Sequence, residues 1–185
     1  MKNTVISIGS SNLTWGQFAD RLETFDVGCV VDVRSFPRSR LIHFNQSQLR
    51  ACLNGRGIAY VHLGHQLGGH VTDEEASYTR RTTMPGFLEG IDRVLEIAAR
   101  CRPALLCAEG EVIDCHRFLV LSRFLAQRHG AEIVHILRDG SAETQEAAED
   151  RLIQRANRYG ELLFGRAENL ELAYMTALLR MGLRP

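Results

Sequence analysis

The chain has 185 residues, 45% of them hydrophobic and 24% charged, and its 22 basic side chains are balanced by 22 acidic ones. That length and apolar fraction build one ordinary domain with a full core, so residues 1–185 are read as a single unit. A formal net charge of zero excludes a bulk nucleic-acid coat and leaves room only for a local basic patch.

No apolar run approaches the ~18 residues of a membrane span. Met1-Lys-Asn-Thr4 leads into a strand with no secretory h-region or cleavage site. The five cysteines are odd in number and irregularly spaced, which predicts free thiols in a reducing cytoplasm. Cys29, in a strand, and Cys52, in a helix, are expected to be small core residues.

Thr4–Ile8 reads as a first strand, followed by the loop Gly9-Ser-Ser-Asn12. Thr14 with Gln17 three residues on is a capping-box pattern that opens a helix to about Phe25. Gly28–Val33 is a second strand, continuously apolar as in a sheet covered on both faces. It runs into Asp32-Val-Arg-Ser-Phe-Pro-Arg-Ser-Arg40, where Arg34, Arg38 and Arg40 make a cationic loop able to hold an oxyanion.

Gln46–Asn54 is helical and Ile58–Leu63 a third strand, followed by Gly64-His-Gln-Leu-Gly-Gly-His70. Residues 71–83 lack apolar periodicity and are expected to form a surface segment or lid. Met84–Arg100 is an amphipathic helix through Phe87, Ile91, Val94 and Leu95.

Pro103–Cys107 is a buried strand and Phe118–Leu125 lies in a helix, with an unusual loop between them. Cys107 to Arg117 hold two thiols, three carboxylates, an imidazole and a guanidinium, a mixture that packing alone has no reason to assemble. Asp114 is a candidate N-cap, which would put Cys115, His116 and Arg117 in the first turn, where a thiolate or anion is favoured. A fifth strand follows at Glu132–Leu137. Ser141 is expected to cap a helix from Ala142 to Tyr159, and a last helix spans about Leu170 to Met181. This C-terminal helical pair, about residues 141–182, packs on the sheet or forms a homodimer surface; periodicity leaves both open.

Five strands alternating with helices predict an α/β fold with a mainly parallel five-stranded sheet and flanking helices. Ligands of such sheets sit beyond the carboxyl ends of the strands. That rule gathers Ser10, Ser11 and Asn12; Asp32, Arg34, Arg38 and Arg40; His62, His65, Gly68 and Gly69; Glu109, Cys115, His116 and Arg117; and Arg138 with Asp139.

These residues carry a resemblance. Ser7-Ile-Gly-Ser-Ser-Asn12, Val31–Arg40, Tyr60-Val-His-Leu63 with Leu67-Gly-Gly69, and Leu106-Cys-Ala-Glu109 followed by Cys115-His-Arg117 resemble domain of unknown function family 488, over about residues 4–137. The family usually has histidine where this chain has Ser10. The resemblance implies a Rossmann-like α/β fold and bacterial origin, and it brings no established reaction.

The chemistry is therefore argued from the site. The leading expectation is an enzyme acting on a phosphate-bearing substrate, a nucleotide or nucleic acid. Arg34, Arg38, Arg40 and Arg117 would hold the anion beside Ser10, Ser11, Asn12, His62, Gly68 and Gly69, and Glu109 or Asp32 would serve as general acid or base. The competing role for Asp32 and Glu109 is ion pairing that merely orders the arginines.

A second expectation is cysteine chemistry, because a strand ending in Asp-Val-Arg and a later strand ending in cysteine are similar to rhodanese-like sulfurtransferases. Against it, Glu109, Glu111 and Asp114 would repel an anion at Cys107, and Ile113 stands where the phosphatase spacing needs arginine. Cys115, beside His116, is the better nucleophile by position. A third expectation is a non-enzymatic module for nucleic acid or another anion, with Phe36, Phe44 and Tyr78 as stacking surfaces. The spacing of Cys107, Cys115 and His116 is not a short zinc-knuckle spacing, so no metal and no cofactor are expected.

Overall fold

The computed structural model describes residues 4–70, 77–157 and 165–184. A mixed sheet of six strands runs in the order β3-β2-β4-β1-β5-β6. The strands are β1 (Thr4–Gly9), β2 (Cys29–Asp32), β3 (Ala59–His62), β4 (Pro103–Cys107), β5 (Glu132–Ile136) and β6 (Ala142–Thr144). The first five are mutually parallel and β6 is antiparallel to β5. The helices are α1 (Trp15–Thr24), α2 (Gln46–Asn54), α3 (Gly64–Leu67), α4 (Tyr78–Arg81), α5 (Pro85–Ala98), α6 (Arg123–His129), α7 (Gln145–Asn157) and α8 (Arg166–Arg180).

Strand order and crossover handedness together decide which helix covers which face. From β1 the chain steps to β2 and β3 in one direction, then reverses to reach β4 and β5, so right-handed crossovers put the helices on opposite faces. The pleat sorts the strand residues to match. Ile6, Ile8, Val30, Ala104 and Leu106 meet Phe18 and Leu22 of α1 and Leu49 and Leu53 of α2. Val5, Val31 and Leu105 meet Ile91 and Val94 of α5, with Leu152, Tyr174 and Leu178 of α7 and α8 in the same cluster. The C-terminal helix pair therefore packs into the core of the second face.

Several local signals act as their chemistry dictates. Thr14 and Gln17 form the reciprocal capping box at the start of α1. Gly130, with φ of 61°, closes α6 in the left-handed conformation that glycine tolerates best. Between β4 and α6 the chain is wound as a π-helix, Arg117–Ser122, with all six residues buried. π-turns occur mostly as interruptions of α-helices, and frequently at functional sites.

Three expectations are corrected. The sheet has six strands, not five, because residues 142–144 pair with β5 instead of opening a helix. The five-residue turn from Leu137 to Ser141 turns the chain back, with Leu137 N donating to Ser141 O at 2.8 Å and Gly140 at φ 94°. Ser141 accordingly caps nothing: its N and Oγ donate to Asp139 Oδ1 at 2.9 and 2.6 Å, while Thr144 Oγ1 accepts from Ala147 N at the start of α7. The expected end of that helix at Tyr159 lies outside the described residues, as do residues 71–76 of the expected lid. The rest of the lid is packed. Arg123 lies over the rings of Tyr78 and Tyr174 at 4.5 and 4.2 Å, and Tyr78 N donates to Arg184 O at 2.8 Å.

His135 on β5 is buried and joined to Gln145 Oε1 at 2.9 Å, and Gln145 Nε2 donates in turn to Tyr174 Oη at 2.9 Å. Burial pushes the imidazole down from 6.5 to about 4. A depressed histidine stabilises the fold fully above the unfolded value, and that contribution is lost as pH falls from about 6.5 towards 4, about 3 kcal/mol in all. Urea unfolding at pH 7, 5.5 and 4.5 is expected to show this decline. In His135→Gln the part of the slope due to this ring disappears, whatever the absolute stability of the variant.

Candidate active site

With β1 to β5 parallel, their carboxyl ends share one edge of the sheet. Cys107 ends β4 and is in register with Gly9 at the end of β1. Pairing continues beyond both strands, since Ser10 N donates to Cys107 O at 2.8 Å and Ser11 N to Ala108 O at 2.9 Å. This approach is so close that a Cβ on Gly9 would lie 2.0 Å from the Glu109 carbonyl oxygen. The loop after β1 thus fixes the backbone around Cys107. Ser10 is buried, Ser11 Oγ accepts from Arg138 Nη2 at 3.4 Å, and Asn12 is exposed.

Three side chains converge behind this strand end. His116 Nδ1 is 3.6 Å from Cys107 Sγ and 3.8 Å from Cys115 Sγ. The three donor atoms lie within 4.8 Å of one another, the one such group among the described residues. Cys107 is 5% exposed and Cys115 is completely buried, so only the first meets the surface. Gly69 packs on the imidazole, where a Cβ would stand 2.8 Å from Nδ1.

The two thiols are driven in opposite directions. The neighbouring Cys115 thiol holds the Cys107 thiol well below its ordinary range, and His116 and Arg117 act the same way against burial. Burial pushes Cys115 well up, and the neighbouring Cys107 adds to that. Cys115, expected to be the better nucleophile by position, is 0% exposed, against 5% for Cys107.

Arg117 does not face the arginine loop. Its guanidinium is 0% exposed, with Nε donating to Ser7 Oγ at 2.9 Å and Nη1 to the Glu109 carbonyl at 2.6 Å. Nη2 has no partner, and no carboxylate contacts the group among the described residues. Asp114 is not a helix cap either. Its carboxylate meets Arg155 at 2.6 Å, as Glu111 meets Arg151 at 3.0 Å. Two of the three carboxylates counted against a thiolate are thus paired with α7, and Glu109 alone lies unpaired at the mouth among the described residues.

The arginines after β2 also part company. Asp32 is fully buried and bound to Arg34 twice, Nε to Oδ1 at 2.8 Å and Nη2 to Oδ2 at 2.6 Å, and Tyr60 Oη donates to Oδ2 at 2.8 Å. Both carboxylate oxygens are taken, so Asp32 serves as the partner that orders Arg34. Arg38 and Arg40 are exposed, and Arg38 lines a groove of about 1160 Å³ with Ser35, Phe36, His62, His65 and His70. His62 Nε2 lies 2.9 Å from the Arg34 carbonyl. Gly68 is buried against this loop, with its carbonyl bound by Arg81.

A second opening, of about 380 Å³, exposes Cys107 between Arg34, Phe36, His70, Glu109 and His116. Phe36, 68% exposed, and His70 border both cavities. Sequence reasoning left Ser35 and His70 out of the site, set Cys107 aside for its acidic neighbours and gave Phe36 only as a stacking surface. The usable signal was the position of Cys107 as the last residue of a central strand.

A family model described as Domain of unknown function DUF488 matches residues 14–124. No curated protein and no solved structure matches the chain.

Removing one partner of a buried ion pair leaves the other charge uncompensated. Asp32→Ala is expected to lower the unfolding free energy by roughly 3–5 kcal/mol, against less than about 1 kcal/mol for Arg38→Ala at the surface, as read by denaturant unfolding. Gly9→Ala is expected to cost about 1–3 kcal/mol, because backbone rather than a flexible side chain stands in the way.

Proposed function

Taking as premise that the chain belongs to the family Domain of unknown function DUF488, we propose that it is a thiol-dependent enzyme with Cys107 as nucleophile and an anionic substrate in the adjoining groove. The observation that carries this reading is the buried Arg117 guanidinium. It is bonded only to neutral oxygens, and the acids it acts on are the Cys107 and Cys115 thiols. An isolated charge is costly away from water, so a cation in this place calls for an anion beside it. A Cys107 thiolate supplies that charge. The same guanidinium weighs against a divalent cation between the two sulfurs, although the three donor atoms lie close enough to hold one.

The groove supports the second half of the reading. Arg38 offers a guanidinium for a phosphate or comparable group, His62, His65 and His70 offer ring nitrogens, and exposed Phe36 offers a face for a planar group between the groove and the thiol. Glu109 and His116, at the mouth, are the candidates to protonate a leaving group. A site at the carboxyl ends of a parallel sheet covered on both faces is the arrangement of Rossmann-like enzymes, which extends the likeness to that class. Five unpaired cysteines suit a reducing cytoplasm.

Iodoacetamide at pH 7 with peptide mapping tests the nucleophile. Cys107 is expected to alkylate first, and Arg117→Met to slow that step about tenfold or more. Pyrophosphate or a nucleotide is expected to protect Cys107 in the native chain and not in Arg38→Ala. Reaction of all five thiols only after denaturation overturns the nucleophile. Salt-dependent retention of an oligonucleotide that leaves Cys107 alkylation unchanged favours a binding module instead.

A further inference from the structure

The geometry points to Cys107 and Cys115 acting together as a redox-active dithiol whose substrate is a small, negatively charged disulfide; this rests on Cys107 being the reactive thiolate. Three observations select sulfur over a phosphoryl group as the electrophile. The first is the order of access. Both cysteines border the same opening, but Cys107 is 5% exposed and Cys115 0%, so an outside molecule meets Cys107 first.

The second is the closeness of the second thiol. Its sulfur lies within 4.8 Å of the Cys107 sulfur, and His116 Nδ1 is 3.6 and 3.8 Å from the two. A phosphoryl acceptor has no use for a second thiol there, and a mixed disulfide needs one to be resolved. The third is the place of Arg117. Phosphoryl transfer to cysteine needs donors spread around the oxygens of the transferred group. This guanidinium instead points inward, to Ser7 and the Glu109 carbonyl, and Ile113 occupies the sixth position after Cys107.

In the first step the Cys107 thiolate attacks one sulfur of the substrate R–S–S–R′. The Cys107–S–S–R bond forms, the substrate disulfide breaks, and R′–S⁻ leaves with its electron pair. In the second step the Cys115 proton passes through His116 Nδ1, 3.8 Å away, to the departing R–S⁻. The Cys115 sulfur attacks Cys107 Sγ, the bond between the two cysteines forms, and R–SH leaves. Two electrons have moved from the protein dithiol to the substrate, and an external dithiol reacting in the reverse sense restores the pair. The sulfurs must close to about 2.05 Å. Cys115 ends the turn in which its N donates to Val112 O at 3.1 Å, directly ahead of the π-helical segment, so the movement falls on a short irregular stretch rather than on a strand.

The test uses 5,5′-dithiobis(2-nitrobenzoate), a disulfide with a carboxylate on each ring, on the full chain carrying Cys52→Ser and Cys101→Ser to remove the two partly exposed thiols. The expected result is release of about two equivalents of thionitrobenzoate, no retained adduct, and a Cys107–Cys115 cross-linked peptide in the mass spectrum. With Cys115→Ser added, about one equivalent is released and the adduct stays on Cys107. One equivalent with a stable adduct while Cys115 is present overturns the dithiol and leaves Cys107 as a single nucleophile. No release from the folded chain, or equal release from Cys107→Ser, overturns the nucleophile itself, and the dithiol with it.

Discussion

Everything at the active edge depends on one guanidinium held away from water. Arg117 reaches from the start of the π-helical segment to Ser7 on β1 and to the carbonyl of Glu109, so it ties β1 to the loop after β4. Because it is bonded to neutral oxygens, it fixes geometry and charge at once. A lysine would keep the charge and lose the divided donation to two oxygens that the flat guanidinium makes. The loop from Ala108 to His116 is therefore held from below by a cation, whose charge pulls both the Cys107 and the Cys115 thiol downward.

The same edge contains a second buried guanidinium solved in the opposite way. Arg34 has its own carboxylate, Asp32, two residues earlier, and Tyr60 completes the set. Arg34 is electrically complete and orders the loop after β2, whereas Arg117 is incomplete and polarises the loop after β4. Their difference explains why one arginine lines the opening as scaffold and the other tunes it from within.

How far the chain could be read in advance follows the range of the interactions involved. The Thr14–Gln17 box, the strand Pro103–Cys107 and the gathering of loops at one edge rest on neighbours within a few residues or on the general geometry of parallel sheets, and these were legible. The hairpin into β6 was not, because Ala142-Glu-Thr144 is too short to show a period and Ser141 imitates a cap. Nor was the inward turn of Arg117. Its partner Ser7 lies 110 residues away, and nothing local separates a guanidinium that binds a ligand from one that braces a sheet. The expected cluster of four arginines dissolved for that reason, and Cys107, first set aside for its acidic surroundings, came forward once two of the three carboxylates around it proved to be partnered.

Those partners have a consequence of their own. Arg151 and Arg155 belong to α7, beyond residue 124 where the family match ends, yet they hold Glu111 and Asp114 of the thiol loop. Two carboxylates of this loop are thus held by a helix that shares the core of the second face with α5. The loop after β4 lies within the stretch that the family model matches, whereas the arginines that neutralise two of its carboxylates lie outside it, so its charge balance is completed by a separate part of the chain.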